Sequence, residues 1–559
     1  MRTTATVPLY ARALSLLGAA VLVTGAPGHL FAPQQVVLSP NGHEGEPHPE
    51  WGPLEHCSGI APYHDAPGAN IEPPAGCTVT SAAFLIRHSS IYANDDEWDD
   101  YMRPFAERVA EARDAFGSSS GSNDDENNAL SFLRDWECPI NDDNLEQLTG
   151  PGEQDAHDFG KRFRKLYPHL LPPRHPGPDK SKSKNRSTST STSTSKVKTP
   201  FKVWSASSER DIGTAKAFIR GAFPHRQEGD DGEGDGKYLE LVEVPNKDAD
   251  WSASLTPHKV CPAFSKEPGK PDARAWLEVW GQAPLERLRS LAPAFDFRLE
   301  DVIAIAMLCG YESVIKGVGK SDFCSYKILS EDDYHSFGYW NDLIYHKMVG
   351  YASPVAPYLG VHWLNTSTHN LLSQGGGRSD DNDDHDDHDD RQAEDRVETR
   401  GKKDPSLPDP DRPPNSTHST QKMFVYFTHR EEPPVALVAL GLWNQTKVGA
   451  MPTDRIAKDR IWKTSHVLPF LGHVAIERMN CKAAATGKDE AGKQQQHQRG
   501  ARGGNDYIRT VVNGAVQRMD DCDDGPGHSC PIKRFAEYVE ARMEQYKDFE
   551  SACRVDDDE

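Results

Sequence analysis

The chain is short of positive charge. Its 559 residues hold 63 Lys and Arg against 85 Asp and Glu, a formal charge of −22. Such a balance argues against a nucleic-acid surface, because a phosphate backbone needs a basic stripe. It does not exclude a small anionic substrate, since a local pocket of arginines can be positive inside an acidic protein. Zinc-type C-x-x-C spacing is absent among the ten cysteines, so no structural metal is expected. Long apolar runs are also missing, with one exception at the N-terminus. There Arg2 and Arg12 precede the apolar stretch 13–23, and small residues follow at Gly25, Ala26 and Gly28. This pattern predicts an export signal over 1–26 that is cleaved, leaving no membrane segment; an uncleaved anchor is the alternative.

An exported chain suits the cysteines that are present. An even count in an oxidising compartment predicts a disulfide framework, although spacing alone leaves the pairing open. Four N-x-S/T sequons, at Asn185, Asn365, Asn415 and Asn444, are candidate glycosylation sites. The length suggests about two to four domains, less the tracts that cannot build a core. Segments 181–196, 228–236, 375–417 and 488–505 are rich in Ser/Thr/Lys, acid or Gly/Gln and poor in apolar residues. Burial cannot offset their ordering entropy, so they are expected as solvated surface insertions. The His/Asp run 380–390 belongs with them, as a hydrated acidic loop.

Between these tracts, "TVTSAAFLI", "FKVWSAS" and "MFVYFTH" are apolar or β-branched and then turn polar, as buried strands do. A helical pattern follows the second, with Ala215, Phe218, Ile219 and Ala222 on one face, and "PVALVALGLW" follows the third. Strands leading into helices predict an α/β fold with a central, mainly parallel sheet. Segments 301–313 and 339–352 are helical in pattern without an intervening strand, which predicts an inserted helical subdomain.

All three strands exit into polar or charged residues: Arg87-His88, "SSER" ending at Arg210, and His429-Arg430-Glu431-Glu432. Functional groups gather at such strand ends in α/β sheets. Two histidines, several arginines and a carboxylate are the equipment of phosphoryl transfer. Arginines grip equatorial oxygens, a histidine attacks in line, and a carboxylic acid protonates the leaving oxygen.

Together, "PAGCTVTSAAFLIRH", "LTGPGEQDAHDFGKRFRKLYP", "ASSERDIGTAKAFIRGAF", "FVYFTHREEPPVALVALGLWNQT", "HVLPFLGHVAIERMNC" and "YIRTVVNGAVQRMDDCDDGPGHSC" resemble, in order and spacing, the histidine acid phosphatases. These form branch 2 of the histidine phosphatase superfamily and include secreted fungal phytases. The resemblance runs from about Cys77 onward. It implies that His88 is the nucleophile that becomes phosphohistidine, that Arg87, Arg210 and His429 bind the phosphate, and that no cofactor is needed. It also implies the disulfides Cys77–Cys481, Cys261–Cys553, Cys309–Cys324 and Cys522–Cys530, leaving Cys57–Cys138. Two positions depart from the family pattern. In Arg-His-Gly-x-Arg-x-Pro the second arginine is replaced by Ile91, and loss of one such donor typically costs about two to three orders of magnitude in rate. Arg430 is the nearest replacement cation by motif. The family's Asp after the second histidine is also absent; some members, the inositol polyphosphate phosphatases, use His-Ala-Glu, which makes Glu431 the proton donor and Glu432 the lesser candidate.

The expected organisation is therefore a signal (1–26), an N-terminal extension (27–76), an α/β phosphatase domain (77–144, 201–223 and 423–559), a helical subdomain (145–200 and 237–373) and a disordered acidic loop (374–420). The expected function is that of a secreted phosphomonoesterase of the acid phosphatase or phytase type, acting on a small-molecule phosphomonoester. A weakened family member that only binds phosphate compounds, and a secreted structural glycoprotein, are the alternatives. Which phosphomonoester is used, and in what oligomeric state, are left open.

Overall fold

The computed structural model describes residues 52–116, 128–172, 200–224, 239–247, 254–373, 421–482 and 506–555. The expected signal, the acidic loop 374–420 and the sequons Asn185 and Asn415 lie outside them. At the centre is one mixed sheet. Its strands are β1 (Cys77–Arg87), β2 (Phe201–Ala206), β3 (Leu239–Val244), β4 (Met423–Thr428), β5 (His473–Cys481), β6 (Asp506–Val512) and β7 (Ala515–Gln517), in spatial order β3-β2-β4-β1-β5-β6-β7, with the short β8 (Cys530–Pro531) also pairing with β6. From β3 to β1 neighbouring strands are parallel; from β1 to β7 they are antiparallel. The sheet is thus parallel where the three sequence-predicted strands lie, and turns antiparallel beyond β1.

Both faces are covered, which is why these strands read as continuous apolar runs rather than as alternations. Ala82, Phe84 and Ile86 point to one face, where the helices Gly150–Leu166 and Glu209–Ala222 pack through Phe159, Phe163 and Phe218. Ala83 and Leu85 point to the other, against the helices Ala356–Leu372, Glu432–Ala439 and Ile532–Gln545. A separate helical layer is built from Arg103–Glu111, Lys270–Trp280, Gln282–Leu291, Glu300–Lys316 and Glu331–Met348. No helix among the described residues is long and apolar enough to cross a membrane.

Three expected boundaries shift. Helix Gly150–Leu166, assigned by sequence to the helical subdomain, instead lies on the sheet, because Phe163 meets Phe84 and Phe218 edge-on and Phe159 packs tilted against Phe218. Strand β3 and helix Ala356–Leu372, inside the expected helical segment 237–373, also belong to the sheet and its cover. Conversely, Trp98, Met102, Phe105, Trp136 and Ile140, expected in the α/β part, pack into the helical layer.

Four of the five expected disulfides are present: Cys77–Cys481, Cys261–Cys553, Cys309–Cys324 and Cys522–Cys530. The first joins residues paired directly across β1 and β5. The fifth is not formed, and Cys57 and Cys138 are free thiols. The buried Cys57 thiol donates to Pro53 O at 3.4 Å and has the Tyr334 phenol as neighbour. Cys138 lies by Glu312 and Lys316. Both edge the same apolar cluster in different surroundings.

Candidate active site

The sheet order β2-β4-β1 sets three strand exits side by side. Arg87 is level with Thr428, and Ser205 with Phe427. His88 follows β1, and its backbone N–H donates to Thr428 O at 2.8 Å; His429 is the next residue after β4. The two histidines therefore leave adjacent parallel strands at the same level. Helix Glu209–Ala222 brings Arg210 and Asp211 in its first turn. It is held close to helix Gly150–Leu166 by two glycines. A Cβ on Gly160 would meet Phe218 O at 2.1 Å, and one on Gly221 would meet His157 O at 1.8 Å.

His88 is buried, and its Nδ1 lies 2.9 Å from Ser89 O. That carbonyl can only accept, so Nδ1 carries the proton and Nε2 keeps a lone pair. Burial, reinforced by Arg87 and Arg210, holds the imidazole well below its ordinary value and hence neutral. Both properties suit a nucleophile.

Arg87 is fully buried. Its Nη1 donates to Gly59 O and to Leu468 O, the latter at 2.5 Å, and its guanidinium stacks over Phe470 at 4.3 Å. Its Nε and Nη2 have no partner among the described residues. Burial lowers it to about 10, which leaves it charged. A buried guanidinium with two unpartnered nitrogens is able to grip an anion. Arg210 pairs through Nη1 with Glu146 at 2.7 Å, and its buried Nε is likewise unpartnered.

His429 Nδ1 lies 2.9 Å from Asp211 Oδ2, out of line for a hydrogen bond, and its Nε2 is 3.5 Å from Ser208 Oγ. Asp211 escaped the sequence reading, although its place directly after Arg210 was a signal. A second missed residue is His258, from the turn Pro257–Val260, whose Nδ1 bonds Glu432 Oε1. No local pattern announces it.

Arg430 does not fill the place expected of it. Its Nη1 bonds Glu97 Oε1 at 2.5 Å, its Nη2 bonds Asp96 Oδ2 at 3.0 Å, and its Nε reaches Glu431 Oε1 at 3.4 Å. Three carboxylates surround the guanidinium and balance its charge. Ile91 faces away from any anion: it is fully buried in the helical layer's apolar cluster and bridges Leu148. Asn94 is structural, donating through Nδ2 to Glu97 Oε2 at 3.1 Å and Tyr311 Oη at 2.9 Å.

Glu431 is buried. Burial pushes its carboxyl up, but His258, Arg430, Lys266 and His429 outweigh it and hold the group well below the usual carboxylate range. Glu432 is bound to His258 and is thereby the less available of the two carboxylates. Donor atoms of His258, Glu431 and Glu432 lie within 4.8 Å of one another, the grouping among the described residues that most nearly matches a metal site. His258 and Glu432 are bonded to each other rather than splayed around a third atom, and Arg430 and Lys266 already neutralise the acids. The donor set does not fit an ion.

A family model described as the histidine phosphatase superfamily, branch 2, matches residues 78–513. The chain belongs to branch 2 of the histidine phosphatase superfamily. This histidine phosphatase is 25% identical over 517 residues to the acid phosphatase PHO1 of Komagataella pastoris, covering 90% of this chain and 86% of the relative. It is 23% identical over 515 residues to the phytase PHO112 of Candida albicans, covering 90% and 87%. Among solved structures it resembles the phytase from D. castellii, with a TM-score of 0.63, 18% identity and 94% of each chain covered. That likeness shows the histidine phosphatase fold.

Proposed function

We propose that this histidine phosphatase is an exported phosphomonoesterase of the acid phosphatase or phytase type that works through a phosphohistidine on His88. The observation that carries this is the juxtaposition of a neutral imidazole, its Nδ1 proton fixed on Ser89 O, with the two unpartnered nitrogens of Arg87. Arg87, Arg210 and His429 bind the phosphoryl oxygens. The Nε2 lone pair of His88 attacks phosphorus, the ester P–O bond breaks, and the leaving oxygen takes a proton from Glu431. Water then attacks the phosphohistidine, the P–N bond breaks, and the water's proton returns to Glu431. Arg430 holds the Glu431 carboxylate and its neighbours in place and does not clamp phosphate.

Glu431 is ionised in the empty site. A phosphate monoester brings negative charge beside it, which raises its proton affinity, and a monoanionic ester carries a proton to supply. Activity on the acid side follows, where that monoanion is populated.

His88→Ala should abolish release of phosphate from a chromogenic phosphomonoester, and alkaline quenching of wild type with labelled substrate should trap label on protein. Turnover retained by His88→Ala would overturn the mechanism. A second reading, a phosphate-binding protein without turnover, is favoured by the apolar Ile91 and the neutralised Arg430. It predicts saturable phosphate binding by wild type with no hydrolysis in the same assay.

A further inference from the structure

His258 is unexplained by the mechanism so far. Its side chain is 9% exposed and that of its partner Glu432 is 2% exposed. Removing two such charges from water costs several kcal/mol before their attraction returns any of it. The pair is also built rigidly. Thr428 Oγ1 donates to Leu255 O, and Thr256 Oγ1 donates to Asn246 O at 3.1 Å, on one side of the turn. Cys261–Cys553 anchors the other side. The His258 ring meets Phe264 edge-on at 5.2 Å and His429 edge-on at 5.7 Å. This fixed imidazole lies within 4.8 Å of Glu431 as well as of Glu432.

We propose that His258, tethered by Glu432, is a positioning residue for the proton-donating carboxyl of Glu431. The proposal deepens the phosphomonoesterase mechanism and rests on it. Glu432 fixes Nδ1, so the ring cannot turn, and its positive edge is presented beside Glu431. Burial works against charge on His258, but Glu432 and Glu431 outweigh it and raise its affinity for a proton. The other groups facing Glu431 are Arg430, Lys266 and His429, with the Asp96 carboxylate and the Tyr345 phenol beyond them. His258 is the foremost of the cations, ahead of Arg430. Removing the positive charge of His258 therefore lets Glu431 keep its proton to a higher pH.

The test compares the pH dependence of kcat and KM in wild type, His258→Gln and Glu432→Gln, with folding checked by thermal melting. Both variants should lower kcat with KM changed less than threefold. His258→Gln should move the alkaline limb of kcat upward by about one pH unit, the scale of an opposite charge at this range, whereas Glu432→Gln, which frees His258 but also removes a like charge beside Glu431, should move it by less. His258→Lys, which restores a cation, should return the limb toward wild type. An unmoved limb in folded His258→Gln, or a large rise in its KM with the limb fixed, would overturn the proposal; the second outcome would mark a substrate contact instead. Failure of the parent mechanism is read separately, from His88→Ala.

Discussion

Ile91 shows how one side chain decides between two chemistries. Its backbone leaves the His88 loop and bridges Leu148, and its side chain joins Leu54, Ile60, Ala93 and Met102 in a cluster closed to water. A guanidinium there would be enclosed by apolar side chains. Ile91→Arg should therefore lower stability by about 3–5 kcal/mol, the cost of an uncompensated buried charge, and should not raise turnover. Thermal melting and a phosphatase assay on the same sample check both. A gain in kcat with unchanged stability would show that the side chain can reach the phosphate. The residues most legible in the sequence were those at strand exits. Arg87, His88 and His429 follow apolar runs, Arg210 opens the helix after the second strand, and the sheet sets these elements side by side. His258 was illegible because its role depends on a turn distant in sequence folding over Glu432, and no local period encodes such a contact. The pairing of Arg430 with Asp96 and Glu97 was illegible because they lie in the short helix Asp95–Glu97, distant in sequence.

Two helices fix the position of Arg210. Helix Glu209–Ala222 carries it, and helix Gly150–Leu166 backs that helix at a distance only glycine permits. In Gly221→Ala the new methyl would sit 1.8 Å from His157 O, so one helix must move outward. The expected cost is about 1–3 kcal/mol of overpacking. Because Arg210 rides on the moving helix, KM for a phosphomonoester should rise as well. Melting and steady-state kinetics read the two effects, and an unchanged KM in a destabilised variant would separate packing from positioning. The layer to which each helix belongs was hard to foresee. An apolar stripe such as Phe159 and Phe163 states that a face is buried, not against what. Helix Gly150–Leu166 therefore looked like part of the helical insertion, while its partner was already visible in the Ala215, Phe218 and Ala222 pattern. The strands were clearer, since burial on both faces leaves few alternatives for a short apolar run.

At the scale of the molecule, the acid side of the pH range sets function against stability. Burial lowers several histidines from their ordinary value: His56, His346 and His473 to about 4, and His466 to about 3, with nearby cations adding to the effect for His56, His346 and His466. The unfolded chain binds protons at these sites from about pH 6.5 downward, while the folded chain refuses them until the lower values. Their contribution is therefore complete above pH 6.5 and is lost as pH falls toward 4. Each is worth on the order of 1–3 kcal/mol over that window. Glu431 and Asp96, held low by the surrounding cations, act in the same direction: their stabilisation is present above the ordinary carboxylate range and is lost as protons return to them. Asp155 opposes this, since burial and Asp158 raise it to about 7, so its penalty on folding disappears as pH falls. Asp301 and His258, whose proton affinity is also raised, join it, but His64, His88 and His362 are lowered along with the four above, and the lowered imidazoles prevail. The melting temperature should therefore fall steadily from pH 6.5 to pH 4, and bound inorganic phosphate should restore part of the loss by occupying Arg87 and Arg210. Scanning melts across that range, with and without phosphate, measure both. A melting temperature that rises toward pH 4 would mean that these histidines already take up protons in the folded chain. It would then remove the grounds for a neutral, buried His88 at the centre of the site.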